Sequence, residues 1–269
     1  MTYLEVVVKV TGTDPDFMLS LARGMATLRA FEGRAQLTIA QAASVTGLSR
    51  SSVRRCLHTL ETLGYLREQG GRYRLAPTLL PLAHGYVMSD PLAVAAQPVV
   101  NNVRDMLGES CSLAVFEPRN RGSEVIYIAR AEAAQPIAMP LHVGSALPAY
   151  CSSLGRVLLA ALDGTALSAY LADAPFPART PETLTSAEQV RAACDQAREC
   201  GFSQVNEELE PGLRSIAVPV RSGAGGTVAA LNVGVAAGRW QPEGMIERIL
   251  PELRAAATHL ARSIQTQDR

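Results

Sequence analysis

Nowhere does the 269-residue chain approach the eighteen or more consecutive apolar residues that a membrane helix requires, although 48% of its residues are hydrophobic. Its opening, MTYLEVVVKVTGTD, lacks the basic start, apolar stretch and cleavage site of a secretory signal. Both absences predict a cytoplasmic protein with no membrane partner. The five cysteines (Cys56, Cys111, Cys151, Cys194, Cys200) form no CxxC pair and sit near no spaced histidines, so neither a zinc site nor a disulfide framework is encoded. No metal and no cofactor is expected. Net charge is also missing, because 25 basic residues cancel 25 acidic ones.

The cancellation is uneven. Residues 17–80 carry nine arginines against Glu32, Glu61 and Glu68, a net +6, whereas residues 81–269 carry −4 and residues 1–16 carry −2. A positive field confined to one small module points to a polyanionic partner for that module alone.

Residues 1–16 alternate weakly and end at Gly12 and Asp14-Pro15, an optional arm or a frayed strand without assigned function. From Phe17, Leu21, Met25 and Leu28 recur at helical spacing and predict a first helix with that face inward, ending near Gly33. Thr38-Ile39-Ala40-Gln41 has the form of a capping box, and Gly47 supplies the left-handed residue that ends the short helix it opens. Ser49 is then an N-cap for a third helix in which Val53, Leu57 and Leu60 share one face, and Arg50, Ser51, Arg54, Arg55 and His58 the other. Gly70-Gly71 between two short polar runs predicts a β-hairpin carrying Arg72 and Arg74 on one side. Two short helices joined by a glycine turn, the second basic on its outer face, fit a recognition helix entering the major groove of double-stranded DNA. Ser49, Ser51 and Ser52 suit capping and phosphate contact at a helix N-terminus. Arg50, Arg54 and Arg55 suit base or backbone contact, since the guanidinium fork makes paired hydrogen bonds. His58 reads equally as a surface residue. The boundaries implied are an arm over 1–16, a winged helix-turn-helix over 17–77, a linker helix over 78–90 and a larger domain over 91–269.

In that larger domain a helix over 91–107 contains Pro98, which should kink or split it. Strand-like runs follow at 111–116, 124–130, 137–142, 213–220 and 227–235. Helical stretches cover 152–162, 166–172, 186–200 and 242–264. The order implies an α+β domain with an antiparallel or mixed sheet. At Tyr150-Cys151-Ser152-Ser153-Leu154 a helix begins whose free N–H groups suit a small carboxylate; a plain N-cap by Ser152 or Ser153 explains the same residues.

Taken together, SLARGMATLRAFEG, LTIAQAASVTGLSRSSVRRCLHTLETLGYL and GRYRLAP resemble the DNA-binding half of the IclR-type regulators. GESCSLAVFE, VIYIAR, VGSALPAYCSSLGRVLLA, NEELEPGLRSIAVPVR and VAALNVGV are similar to that family's effector-binding domain, in the phrasing of its protocatechuate and 4-hydroxybenzoate branch. The resemblance spans roughly residues 17–265. It implies a winged helix-turn-helix joined to a GAF-like effector-binding domain, assembly as a homodimer or homotetramer, and control of aromatic-acid catabolism. It also implies that Val205 or Asn206, Ser215 and Asn232 complete the effector pocket from the sheet. Asn232 is explained as well by a hydrogen bond within the sheet, and Arg214 is better explained by pairing with Glu207, Glu208 or Glu210.

Two other classes compete. Cys151 at a helix N-terminus would be the nucleophile of a small-molecule enzyme, with His142 as its base. Alternatively, the helices over 79–107 and 242–264 would only mediate oligomerisation. A basic DNA-binding module would be superfluous to the enzyme, and no catalytic residue is assigned.

Overall fold

A computed structural model describes residues 14–116, 124–134 and 141–267, in two compact units divided between Tyr86 and Val87. Most of the expected arm therefore lies outside the described residues.

In the N-terminal unit α1 (Leu19–Arg29), α2 (Ile39–Thr46) and α3 (Arg50–Thr62) precede the hairpin β1 (Leu66–Gln69) and β2 (Arg72–Leu75). The capping box forms: the Thr38 hydroxyl accepts from Gln41 N–H, and the Gln41 side chain accepts from Thr38 N–H. Gly47, at φ 71°, closes α2 in the left-handed conformation a Cβ disfavours. The core is Ala30, Phe31, Leu37, Ala42, Val53, Leu57 and Leu66. The first helix departs from its expected phase. Leu21 and Met25 are exposed and Leu28 half-buried, while Ala26, Thr27 and Ala30 turn inward. Small residues let α1 approach α3 closely, and Phe31, just beyond the helix end, is buried in the core.

After a 3₁₀ turn at Pro77–Leu79, α4 (Leu80–Ser89) is exposed along nearly its whole length, with Leu80, Leu82, Tyr86 and Met88 among the exposed apolar side chains. Helix α5 (Pro91–Leu107) is continuous from the Asp90 cap to Gly108, contrary to the split expected at Pro98. Pro98 and Val94 both lie on the exposed side, so the carbonyl that proline leaves unpaired faces solvent. Met106 is also exposed.

The C-terminal unit is built on six antiparallel strands in the order β5-β4-β3-β8-β7-β6, formed by β3 (Ser110–Phe116), β4 (Glu124–Ala131), β5 (Ala146–Pro148), β6 (Ser203–Asn206), β7 (Leu213–Arg221) and β8 (Thr227–Ala236). The expected strand over 137–142 falls largely outside the described residues. β6 was not anticipated, because Ser203-Gln204-Val205-Asn206 has a single aliphatic residue and is held as a strand by pairing with β7. On one face of the sheet pack α5, α9 (Pro242–Arg248) and α10 (Leu250–Gln267), around Leu113, Ile128, Ile216, Leu231 and Leu253. The expected single helix over 242–264 breaks at Ile249, where Pro251 cannot donate an N–H to continue the ladder. The other face is covered by α6 (Ser153–Ala160), α7 (Gly164–Asp173) and α8 (Ala187–Cys200), around Tyr127, Leu154, Leu158 and Ala217. No helix among the described residues is long and apolar enough to cross a membrane.

Gly155 is closely approached: a Cβ there would stand 2.2 Å from the backbone of Ala149. The segment before α6 lies directly on its first turn. Gly155→Ala should therefore destabilise this unit by about 1–3 kcal/mol or more, since backbone cannot yield as a side chain can. An unchanged denaturant midpoint for the C-terminal unit would contradict that close approach.

Candidate functional site

The exposed face of α3 gathers the residues predicted for DNA. Ser49 Oγ accepts from Ser52 N–H at 3.2 Å and lies 3.0 Å from Ser51 Oγ, fixing the N-terminus. Arg50, Ser51, Arg54, Arg55 and His58 are all exposed, and Ser52 is half-buried. Val53 and Leu57, fully buried behind them, lock the helix to its unit. The hairpin adds a second basic surface. Gly70 and Gly71 both have positive φ, 61° and 78°, as a two-residue turn requires. The resulting register sets Arg67 opposite Arg74 and Gln69 opposite Arg72. Directly opposed residues share a face, so Arg67, Arg72 and Arg74 form one cationic patch whose self-repulsion an anion would relieve.

The second cluster lies on the face of the sheet covered by α6. Ser152 caps α6, its Oγ accepting from Gly155 N–H at 3.2 Å and donating to Pro148 O at 2.9 Å. Ser153, next to it, is buried with its hydroxyl unpartnered. Tyr150, Cys151 and Leu154 are buried in the apolar core beside them, and the Tyr150 hydroxyl donates to Pro177 O at 2.6 Å. On the sheet, Ser112 is the register partner of both Asn232 and Arg130, and Val205 pairs with Ser215. Asn232 is buried with Oδ1 unpartnered. Asn206 is not brought to this cluster. It pairs with Arg214 on the opposite face and accepts from Arg214 Nε at 2.5 Å. Of the two alternatives at that position, Val205 is the one on the site's face. Arg214 also lies 3.7 Å from Glu207, the structural pairing expected of it.

The nucleophile reading of Cys151 meets an adverse environment. Burial pushes its thiol up to about 11, despite a Tyr150 hydrogen bond and Arg179 that pull it down, so the thiol stays protonated at neutral pH. His142, the base expected for it, is exposed, whereas Cys151 is fully buried.

Comparison with known proteins bears on both clusters. Residues 20–70 match the IclR helix-turn-helix domain and residues 84–262 match the bacterial transcriptional regulator IclR C-terminal domain. The chain belongs to the IclR family of bacterial transcriptional regulators. It is 46% identical over 253 residues to the Pca regulon regulatory protein of Pseudomonas putida, covering 93% of this chain and 86% of that one. It is 34% identical to the p-hydroxybenzoate hydroxylase transcriptional activator of Acinetobacter baylyi, covering 91% of each. Among solved structures, an IclR homolog from Microbacterium hydrocarbonoxydans complexed with 4-hydroxybenzoate superposes with a TM-score of 0.75, at 27% identity, covering 92% of this chain and 99% of that one.

Within this IclR-type chain, sequence reasoning missed two arginines. Arg67 was legible, because a Gly-Gly hairpin fixes which residues face one another. Arg130 was not. Tyr127 and Val125 point to the α6 face, and strict alternation would have sent Arg130 to the opposite one. A register shift between Leu113 and Ala114 turns Ile128 and Ala129 to the α5 side and brings Arg130 back beside Ser112.

Operator affinity of this IclR regulator should fall for Arg54→Ala and Arg55→Ala alike. Arg67→Ala should flatten the dependence of log affinity on log salt by about 0.9 for each phosphate it ceases to neutralise. Fluorescence anisotropy across a salt series measures both. Wild-type affinity and slope in all three variants would remove these residues from the interface.

Proposed function

We propose that this IclR-family protein is a one-component regulator whose operator binding is modulated by a small aromatic or related carboxylate and which controls an aromatic-acid catabolic operon. In this reading residues 17–77 hold the operator, residues 78–90 link, and residues 91–269 bind the effector with Tyr150, Cys151, Ser152, Ser153, Leu154, Val205, Ser215 and Asn232 around it. The observation that carries it is the set of buried polar atoms without partners on the α6 face, Ser153 Oγ and Asn232 Oδ1. A buried polar group left unpaired costs about 1–3 kcal/mol, and a ligand that pairs with it removes that cost. The names of the two relatives and the 4-hydroxybenzoate bound by the Microbacterium homolog support an aromatic acid as that ligand.

The protein acts in the cytoplasm as a homodimer or a dimer of dimers, and not as an enzyme. Exposed Leu80, Leu82 and Met88 on the linker helix favour burial against a second copy. Two-fold symmetry would then present two recognition helices to two half-sites one helical turn apart. The protonated, buried Cys151 speaks against thiol catalysis.

The test is to titrate the full chain with 4-hydroxybenzoate and protocatechuate while following melting and affinity for DNA from its upstream region. An acid at about a hundred times its Kd should stabilise the protein by about 2.7 kcal/mol and change operator affinity. Ser215→Ala should weaken that acid, and Leu82→Glu should shift sedimentation towards the monomer. If no aromatic acid moves either melting or operator affinity, the effector class is wrong.

A further inference from the structure

Arg130, Ser112 and Asn232 stand in one row across β4, β3 and β8, because Ser112 is the register partner of both others. Its two ends are two strand spacings, about 10 Å, apart. The Arg130 side chain is only 8% exposed. Its Nη1 donates to Ser112 Oγ at 2.9 Å. Its Nη2 reaches Glu132 only at 3.8 Å, and Glu132 is itself 44% exposed, so that pair offsets little of the charge. Nε has no partner among the described residues. The Nε–Nη2 edge is the side of a guanidinium that offers two parallel N–H groups to a carboxylate. Here that edge is buried, and the guanidinium is held at its other corner by Ser112. At the far end of the row Asn232 Oδ1 is an acceptor without a donor among the described residues.

We propose that Arg130 is the carboxylate anchor of the effector site, positioned by Ser112, and that Asn232 accepts from a donor at the far end of the ligand. The site then selects an acid that carries a hydroxyl or N–H across the ring from its carboxylate, and it fixes the direction in which that acid binds. This rests on the reading of the α6 face as the effector site. It adds the cation that Ser152, Ser153, Ser215 and Asn232, all neutral, do not provide.

Calorimetry on the full chain with 4-hydroxybenzoate, 4-hydroxybenzamide and benzoate tests the pairing group by group. Wild type should prefer the acid to the amide. Arg130→Gln should lose roughly ten- to a hundred-fold in affinity for 4-hydroxybenzoate while its affinity for the amide hardly moves, so that the acid-over-amide preference collapses. Asn232→Leu should weaken 4-hydroxybenzoate but leave benzoate nearly unchanged. Arg130→Lys keeps the charge without the fork and should fall between wild type and Arg130→Gln; it carries the test if the glutamine variant does not fold. An acid-over-amide ratio that survives in the Arg130 variants, with both ligands equally weakened or neither, overturns the anchor and leaves the effector class standing. Wild-type protein that binds none of the three overturns the effector reading and the anchor with it.

Discussion

A sheet covered by helices on both faces leaves a polar side chain stable only with a partner, from the protein, from an ordered water or from a ligand. The face under α5 and α10 meets that demand within the protein: it is mostly aliphatic, and Gln204, Asn206 and Arg214 on it are hydrogen-bonded. The face under α6 does not, and its two buried arginines show the difference between a structural charge and an open one. Arg156 is saturated: it donates to Tyr150 O at 3.1 Å and pairs with Glu208, whose backbone carbonyl in turn accepts from Thr183 Oγ1 at 2.6 Å. That network ties α6 to the loops at 177–184 and 207–212, and removing one partner would strand a buried charge. Arg130 has no such closure. Its one short bond is to Ser112, and the edge able to grip a carboxylate leaves Nε unpaired among the described residues.

The rigidity of the first network is what gives the second its meaning. Gly155 lets the Ala149 backbone lie against the first turn of α6, the Ser152 cap fixes where that turn starts, and Arg156 holds the same turn from beneath. Ser153 is thereby held over a sheet whose own positions are set by ladder hydrogen bonds. A site on such elements is preorganised, so its selectivity comes from which ligand atoms satisfy its open groups more than from how the protein adapts.

Features that depend on local chemistry were legible in the sequence. The capping box at Thr38, the Ser49 cap, the Gly70-Gly71 turn and the basic face of α3 each follow from a few neighbouring residues. So does the Ser152 cap at the head of α6. What escaped depends on tertiary packing. The inward face of α1 is set by close approach to α3, not by its largest apolar residues. β6 exists because β7 pairs with it, and α5 survives Pro98 because that proline faces water. Arg130 was hidden by a bulge, which reverses the inside-outside parity of a strand without leaving a mark in its composition. Charge was legible only as a distribution, since +6 in the N-terminal module is invisible in a net of zero. An effector can alter what that module does only by binding two conformations unequally. Helix α4 crosses the division between the units and is the covalent route for such coupling.

Whether the unpartnered polar atoms on the α6 face are the ligand's partners is decided by a crystal structure of the protein with 4-hydroxybenzoate bound. The carboxylate should lie on the Nε–Nη2 edge of Arg130, within hydrogen-bond distance of both nitrogens, with the phenolic hydroxyl donating to Asn232 Oδ1. The acid bound away from this row, or bound in it with Arg130 Nε still unpartnered, would contradict that pairing.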